Sequence, residues 1–220
     1  MLERFIQFQH VERPASPAED AAGARVRLGA KFPRTALRRM THLGLLTGAA
    51  LDGLTLTPED AVVYATTYAE TRALEDYLAS FPTASPLLFQ TSIHPSAVQQ
   101  VLIGRQQPIR RFWPMTGRRR LVEAALLAAL LEPAPRVVLL GGEERGTWLL
   151  EQGMASDHAF AFAVLLTTDS TGAGGRIHFS PGAEKPEERV PTLDAFATSL
   201  AERNPLRWFG AGGDWRVEWS

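Results

Sequence analysis

The run "RVVLLGG", Arg136 to Gly142, constrains this chain more than any other stretch. It is continuously apolar, of strand length, and shows no polar alternation. Strands of that type are buried on both faces, in sheets covered by helices on either side. The remaining sequence offers partners for such a strand. "AVVYATTY", "IRRFW", "HAFAFAVLLTT", "RIHFS" and "DWRVEWS" read as strands, and Phe5 to Phe8 as a short first one. Helical spacing marks "RTALRRMTHLGLLTGAAL", whose Gly44 and Gly48 lie four apart and allow close packing. It marks "TRALEDYLAS" too, with Leu74, Tyr77 and Leu78 on one face. "SPLLFQTSIHPSAVQQVLIG" reads as mostly helix, entered near Pro95, and Leu121 to Leu131 and "LDAFATSLAER" as helices. "ERPASPAEDAAGAR", "STGAGG" and "SPGAEKPEERVP" read as loops. Alternating strands and helices without internal repeats predict one layered α/β domain over residues 1–220, a mixed sheet flanked by helices.

Composition narrows the chemistry. The chain has no cysteine, which excludes disulfides, thiolate zinc sites and a cysteine nucleophile. A formal net charge of −1 gives no electrostatic reason to expect nucleic acid as a partner. No apolar run is long enough for a membrane span. The start, "MLERFIQFQH", lacks the pattern of a signal peptide, so a cytoplasmic location is expected. Abundant Ala, Leu, Arg and Pro suggest a GC-rich bacterial genome.

The stretch "RFWPMTGRRRLVEAALLAALL" poses the functional question. It reads as a strand end, a sharp turn and a buried helix, an arrangement in which enzymes place a nucleophile. Here the turn offers Met115, Thr116 and Gly117, then Arg118, Arg119 and Arg120. An unactivated threonine hydroxyl needs an adjacent base, and the neighbouring sequence has none. Three guanidiniums cannot be buried unpaired. They form either a solvated, ion-paired helix start or an anion site.

The other candidates read more plainly. His94 has no Cys, Asp or His at metal spacing and is expected to be structural. Gly141 and Gly142 make the turn after the apolar strand; Glu143 is expected to bond nearby backbone and Glu144 to be solvated. Asp157 and His158, read as neighbours on a strand, would point to opposite faces. Trp208, Trp215 and Trp219 are expected to cover the core edge, with an aromatic binding surface as the other reading. No metal and no cofactor are expected.

With these pieces in order, Ser85 to Glu144 resembles the N-terminal half of a β-ketoacyl synthase, an enzyme of the thiolase fold. In that family a Ser-Pro helix start, a strand, an elbow bearing the cysteine, a buried helix and an apolar strand ending in Gly-Gly-x-Glu follow one another. Here they read "SPLLFQTSIHPSAVQQVLIG", "RRFWPMT", "GRRRLVEAALLAALL" and "RVVLLGGEE". The likeness is greatest to the short synthase-like chain length factors of aryl polyene clusters, about half a synthase long. Those carry a Ser-Pro-x-x-Phe-x-x-Ser-x-His phrase, seen here as Ser85, Pro86, Phe89, Ser92 and His94, and end in a Gly-rich turn and a Trp-rich strand.

The resemblance carries expectations. Counting back from Gly141 and Gly142 sets Thr116, within one residue, at the family's cysteine position. Where the family has small residues after the cysteine, this chain has Arg118 to Arg120. The family's catalytic histidines lie in a C-terminal half that this sequence does not contain. A non-catalytic subunit of aryl polyene or polyketide-type fatty acyl biosynthesis is therefore implied, paired as a heterodimer with an active β-ketoacyl synthase. The strand holding Arg111, Phe112 and Trp113 would form the interface. A phosphopantetheine arm or an acyl carrier protein would suit the three arginines. Two other readings stay open: a stand-alone thiolase-superfamily enzyme acting on a thioester through Thr116, and a homodimeric acyl-binding scaffold.

Overall fold

In the computed structural model, which describes residues 1–182, 189–210 and 212–220, the apolar run becomes a strand, Arg136–Glu143, with every residue after Arg136 buried. It is β4 of an eight-stranded mixed sheet. The chain runs β1 (Leu2–Glu12), α1 (Ala21–Leu28), a 3-10 turn (Gly29–Lys31), α2 (Arg34–Leu37), α3 (His42–Ala50) and β2 (Ala61–Thr66). Then come α4 (Thr71–Ala79), α5 (Pro86–Ser92), α6 (Ser96–Gly104), β3 (Arg111–Thr116), α7 (Leu121–Leu131) and β4. The remainder is α8 (Trp148–Glu151), β5 (Phe160–Thr167), β6 (Gly175–Pro181), α9 (Leu193–Glu202), β7 (Leu206–Gly210) and β8 (Gly213–Trp219).

The strand order is β3-β2-β4-β5-β1-β6-β8-β7. β2 is parallel to both β3 and β4; the other pairings are antiparallel. Period-two alternation divides the sheet's side chains between two cores. Val63, Leu139 and Phe162 face a layer built by α7 and α9; Tyr64, Leu140 and Ala163 face one built by α1, α3 and α6. The expected layered fold is present. No helix of the described residues is long and apolar enough to cross a membrane.

Several local readings need correction. The first helical stretch is two helices, because the Thr41 side chain accepts from the Gly44 amide and restarts the helix. Its glycines do allow close packing: a Cβ at Gly44 would lie 2.6 Å from Gln100 Oε1, and one at Gly48 would strike the Phe32 ring. The helix expected to be entered near Pro95 is α6, with Pro95 at its N-cap, and a separate helix, α5, precedes it, with Ser85 capping it and Pro86 in its first turn. The loop read from Glu12 to Arg25 ends sooner than expected, since Asp20 caps α1 through the Ala22 and Gly23 amides. β1 runs eleven residues because it pairs on both sides. β7 and α8 had no counterpart in the sequence reading. Residues 183–188 of the segment "SPGAEKPEERVP" lie outside the described residues, and Ser180 and Pro181 belong to β6.

The face of α4 is also reversed. Leu74 and Leu78 are exposed and Tyr77 is half-buried, while Thr71, Ala73 and Glu75 are buried. Trp208 and Trp215 do not edge the core but fill it, stacked 5.7 Å apart. Trp208 Nε1 donates to Glu123 Oε1 at 3.0 Å, and Trp215 Nε1 to the Gly210 carbonyl at 2.9 Å.

Candidate functional site

β2, β3 and β4 run in the same direction and end side by side. Thr66 pairs with Thr116, and Ala65 with Gly141. Ligands of parallel sheets gather outside such carboxyl ends. The elbow, the Gly-Gly-Glu-Glu end of β4 and the turn after β2 all meet there.

The β4 end is closed by tight packing. A Cβ on Gly141 would lie 2.9 Å from the Ala65 carbonyl and collide with the Phe162 ring. One on Gly142 would lie 2.6 Å from the Phe160 carbonyl. Glu143 accepts from the Thr67 amide, the Tyr68 amide at 3.3 Å and the Thr66 hydroxyl at 3.3 Å. Burial raises its pKa to about 7 although these bonds favour the charge.

Glu144 is not solvated. It is 1% exposed and accepts from the amides of Leu43 (3.3 Å), Arg72 (2.8 Å) and Ala73 (3.2 Å). Those amides belong to the first turns of α3 and α4, which have no intrahelical acceptor and carry the positive end of the helix dipole. Its pKa too is raised to about 7, chiefly by burial. Two more buried acids work alike. Glu70 accepts from the Ala97 amide of α6 at 3.1 Å, and Glu75 from the Thr147 and Leu149 amides at the start of α8 at 2.7 and 2.9 Å. Glu70 and Glu75 escaped the sequence reading, and Glu144 was expected in solvent. The available signal was an acid lying on or beside apolar, strand-like or amphipathic runs.

His94 does have a partner. Its Nδ1 lies 3.3 Å from Glu70 Oε2, and its ring stacks on Tyr64 at 5.1 Å. Asp157 and His158 precede β5 rather than lie on it, and their side chains meet at 3.5 Å in solvent. Among the described residues no group of three His, Cys, Asp or Glu side chains is placed to hold a metal ion.

The β3 end is open by contrast. Thr116 is exposed, and among the described residues nothing hydrogen-bonds its hydroxyl. The three arginines do not converge. The Arg118 guanidinium lies over the Tyr68 ring at 5.1 Å and donates to the Gly153 carbonyl. Arg120, at φ +57°, forms the left-handed turn into α7 and lies 3.8 Å from Glu123. Arg119 is exposed and has no ion pair among the described residues.

β3 itself is the outermost strand of the sheet. Pro114 lies within it, as proline can on an edge. Phe112 packs on the α3–α6 side. Trp113 is 47% exposed, and its Nε1 donates to Glu132 Oε2 at 2.9 Å. Arg111 donates to the other oxygen of that buried carboxylate at 2.9 Å. Those bonds hold the Glu132 carboxyl below its ordinary pKa against the opposing effect of burial.

No protein-family model matches the chain, and no curated protein matches it in sequence. Solved structures do match. One chain of a ketosynthase in complex with its chain length factor, from Xenorhabdus doucetiae, superposes with a TM-score of 0.66. The match covers 99% of this chain and 100% of that one at 20% identity. The ishigamide ketosynthase/chain length factor gives 0.58 at 13% identity, covering 82% and 68%. A β-ketoacyl synthase from Burkholderia phymatum gives 0.57 at 12% identity, covering 92% and 70%. The chain has the thiolase-like ketosynthase fold.

Proposed function

We propose that this chain is a non-catalytic ketosynthase-like subunit, a chain length factor. In this reading it pairs with an active β-ketoacyl synthase and shapes that enzyme's acyl pocket, in aryl polyene or polyketide-type acyl biosynthesis in a bacterial cytoplasm. The open outer edge of β3 carries the proposal. An edge strand offers unpaired backbone groups to a second chain. This one also presents a half-exposed tryptophan, held in place by a buried carboxylate. A shared fold over the whole length of a chain from a ketosynthase–chain length factor complex supports the reading.

The chemistry of the elbow supports the non-catalytic part. A condensing enzyme needs a strong nucleophile at the strand-to-helix turn and a base to activate it. This turn has an exposed threonine at or beside that position and no cysteine. Of the three arginines, Arg119 keeps its charge available for an acyl carrier protein.

Co-expression with a β-ketoacyl synthase of the same organism tests the proposal. The expected product is a one-to-one heterodimer by light scattering, which Trp113→Asp disrupts. A parent chain that purifies only with itself, or alone, would overturn it.

A further inference from the structure

A second feature lies away from β3. A cavity of about 860 Å³ opens between α1, the link from α2 to α3, the starts of α4 and α8, and α5. No residue of β3 or of the turn after it lines it. Its volume is that of a small-molecule site.

Most of its arginines are not engaged by its acids. Arg25, Arg38, Arg39 and Arg145 line the cavity without meeting a carboxylate among the described residues. Arg25 donates to the Met40 carbonyl at 2.9 Å and Arg145 to the Pro17 carbonyl at 3.1 Å. The neighbouring acids are mostly engaged elsewhere. Glu19 is paired with Arg27 at 2.9 Å, Asp20 caps α1, Asp76 lies 3.4 Å from Arg72, and Glu144 is held by backbone amides. These four guanidiniums are therefore the cations of the cavity that no carboxylate engages among the described residues.

Two buried nitrogens at its wall lack partners. His42 lines the cavity and is 7% exposed, and its Nε2 has no hydrogen-bond partner among the described residues. The same holds for Arg25 Nε. Buried polar atoms in folded proteins nearly always find a partner, so each points to a group that completes it. Met40, Leu87, Leu88 and Leu150 add an apolar part to the lining.

We propose that this cavity binds a small amphiphile, a phosphate or carboxylate head on an apolar chain. Arg25, Arg38, Arg39 and Arg145 hold the head, and Met40, Leu87 and Leu88 hold the chain. Guanidinium forks match both kinds of oxyanion, so the head is defined by charge and geometry rather than by one element.

Titration calorimetry of the full chain with octyl phosphate, octanoate, butyl phosphate and inorganic phosphate, all below any micelle concentration, tests this. Saturable one-to-one binding of octyl phosphate or octanoate is expected, and whichever binds tighter identifies the head. Affinity should rise roughly fourfold for each methylene buried between butyl and octyl phosphate. Arg38→Ala with Arg39→Ala, two exposed residues whose loss leaves the core intact, should weaken it at least tenfold. Absence of binding by either octyl ligand would overturn the proposal. So would affinity unchanged by the double substitution, or octyl phosphate binding no tighter than inorganic phosphate.

Discussion

β3 and β4 flank the same strand, run in the same direction and end at the same level of the sheet, yet they are finished in opposite ways. At β4 the end is closed inside the chain: two glycines admit close backbone contact, and two glutamates take up amides from the β2 turn and from two helix starts. At β3 the outer backbone edge, Trp113 and the turn from Thr116 to Arg120 face outward. The buried carboxylates do structural work, and the elbow strand keeps an open edge. The difference separates the part that closes the fold from the part proposed above to meet a partner.

Substitutions at the two ends should therefore fail in different assays. The largest loss is expected from Glu144→Ala, which orphans three buried amides. Each such group costs roughly 1–3 kcal/mol, so chemical denaturation should show a drop of about 3 kcal/mol or more. A drop under 1 kcal/mol would mean that water replaces the carboxylate and that the β4 end is not closed. Trp113→Asp should behave conversely. It should weaken association with a synthase by about 2–4 kcal/mol, the loss typical of a central interface aromatic, while the isolated chain loses less, about 1–2 kcal/mol for the Glu132 bond it gives up. Equal losses in both assays would erase the distinction.

The pH dependence sharpens it further. Glu143 and Glu144 ionise in the folded chain near pH 7, above the unfolded carboxyl value of 4.5. Ionising them therefore costs stability. The penalty is absent below about 4.5, grows as pH rises, and is complete above about 7. Urea midpoints should contain a component that falls across this window and is reduced in Glu143→Gln. An unaltered slope in that variant would show that Glu143 stays ionised throughout. The smallest effect is expected from replacing Arg118, Arg119 and Arg120 together by Ala. All three are exposed, and although Arg120 lies 3.8 Å from the buried Glu123, that carboxylate keeps its bond from Trp208 Nε1, so the loss should be about 0–1 kcal/mol. A variant that does not fold would show that the elbow is as closed as β4.

Much of this contrast was legible in the sequence. The run "RVVLLGG", the helix after the arginines and the Ser85–Pro86 helix start each carry a local signal strong enough to survive packing. The exposed elbow was legible too, because three consecutive arginines resist burial. The buried acids were not. Glu70, Glu75 and Glu144 owe their burial to helix starts distant in sequence, and nothing near Glu144 announces Leu43 or Arg72 as partners. The same cause reversed α4. Its apolar stripe predicted the buried face, but Glu75 turns inward to cap α8, which leaves Leu74 and Leu78 outside. β7 was hidden because its pairing with β8 depends on the Trp208–Trp215 stack rather than on a long apolar run.

The central claim is that β3 is the surface on which a synthase partner adds. Backbone hydrogen exchange, followed by mass spectrometry with and without the synthase, reports on it directly. The account predicts that amides within 111–116 exchange freely in the isolated chain and become strongly protected in the complex, while those of 137–143 are protected in both. A complex that forms with exchange in 111–116 unchanged would contradict it.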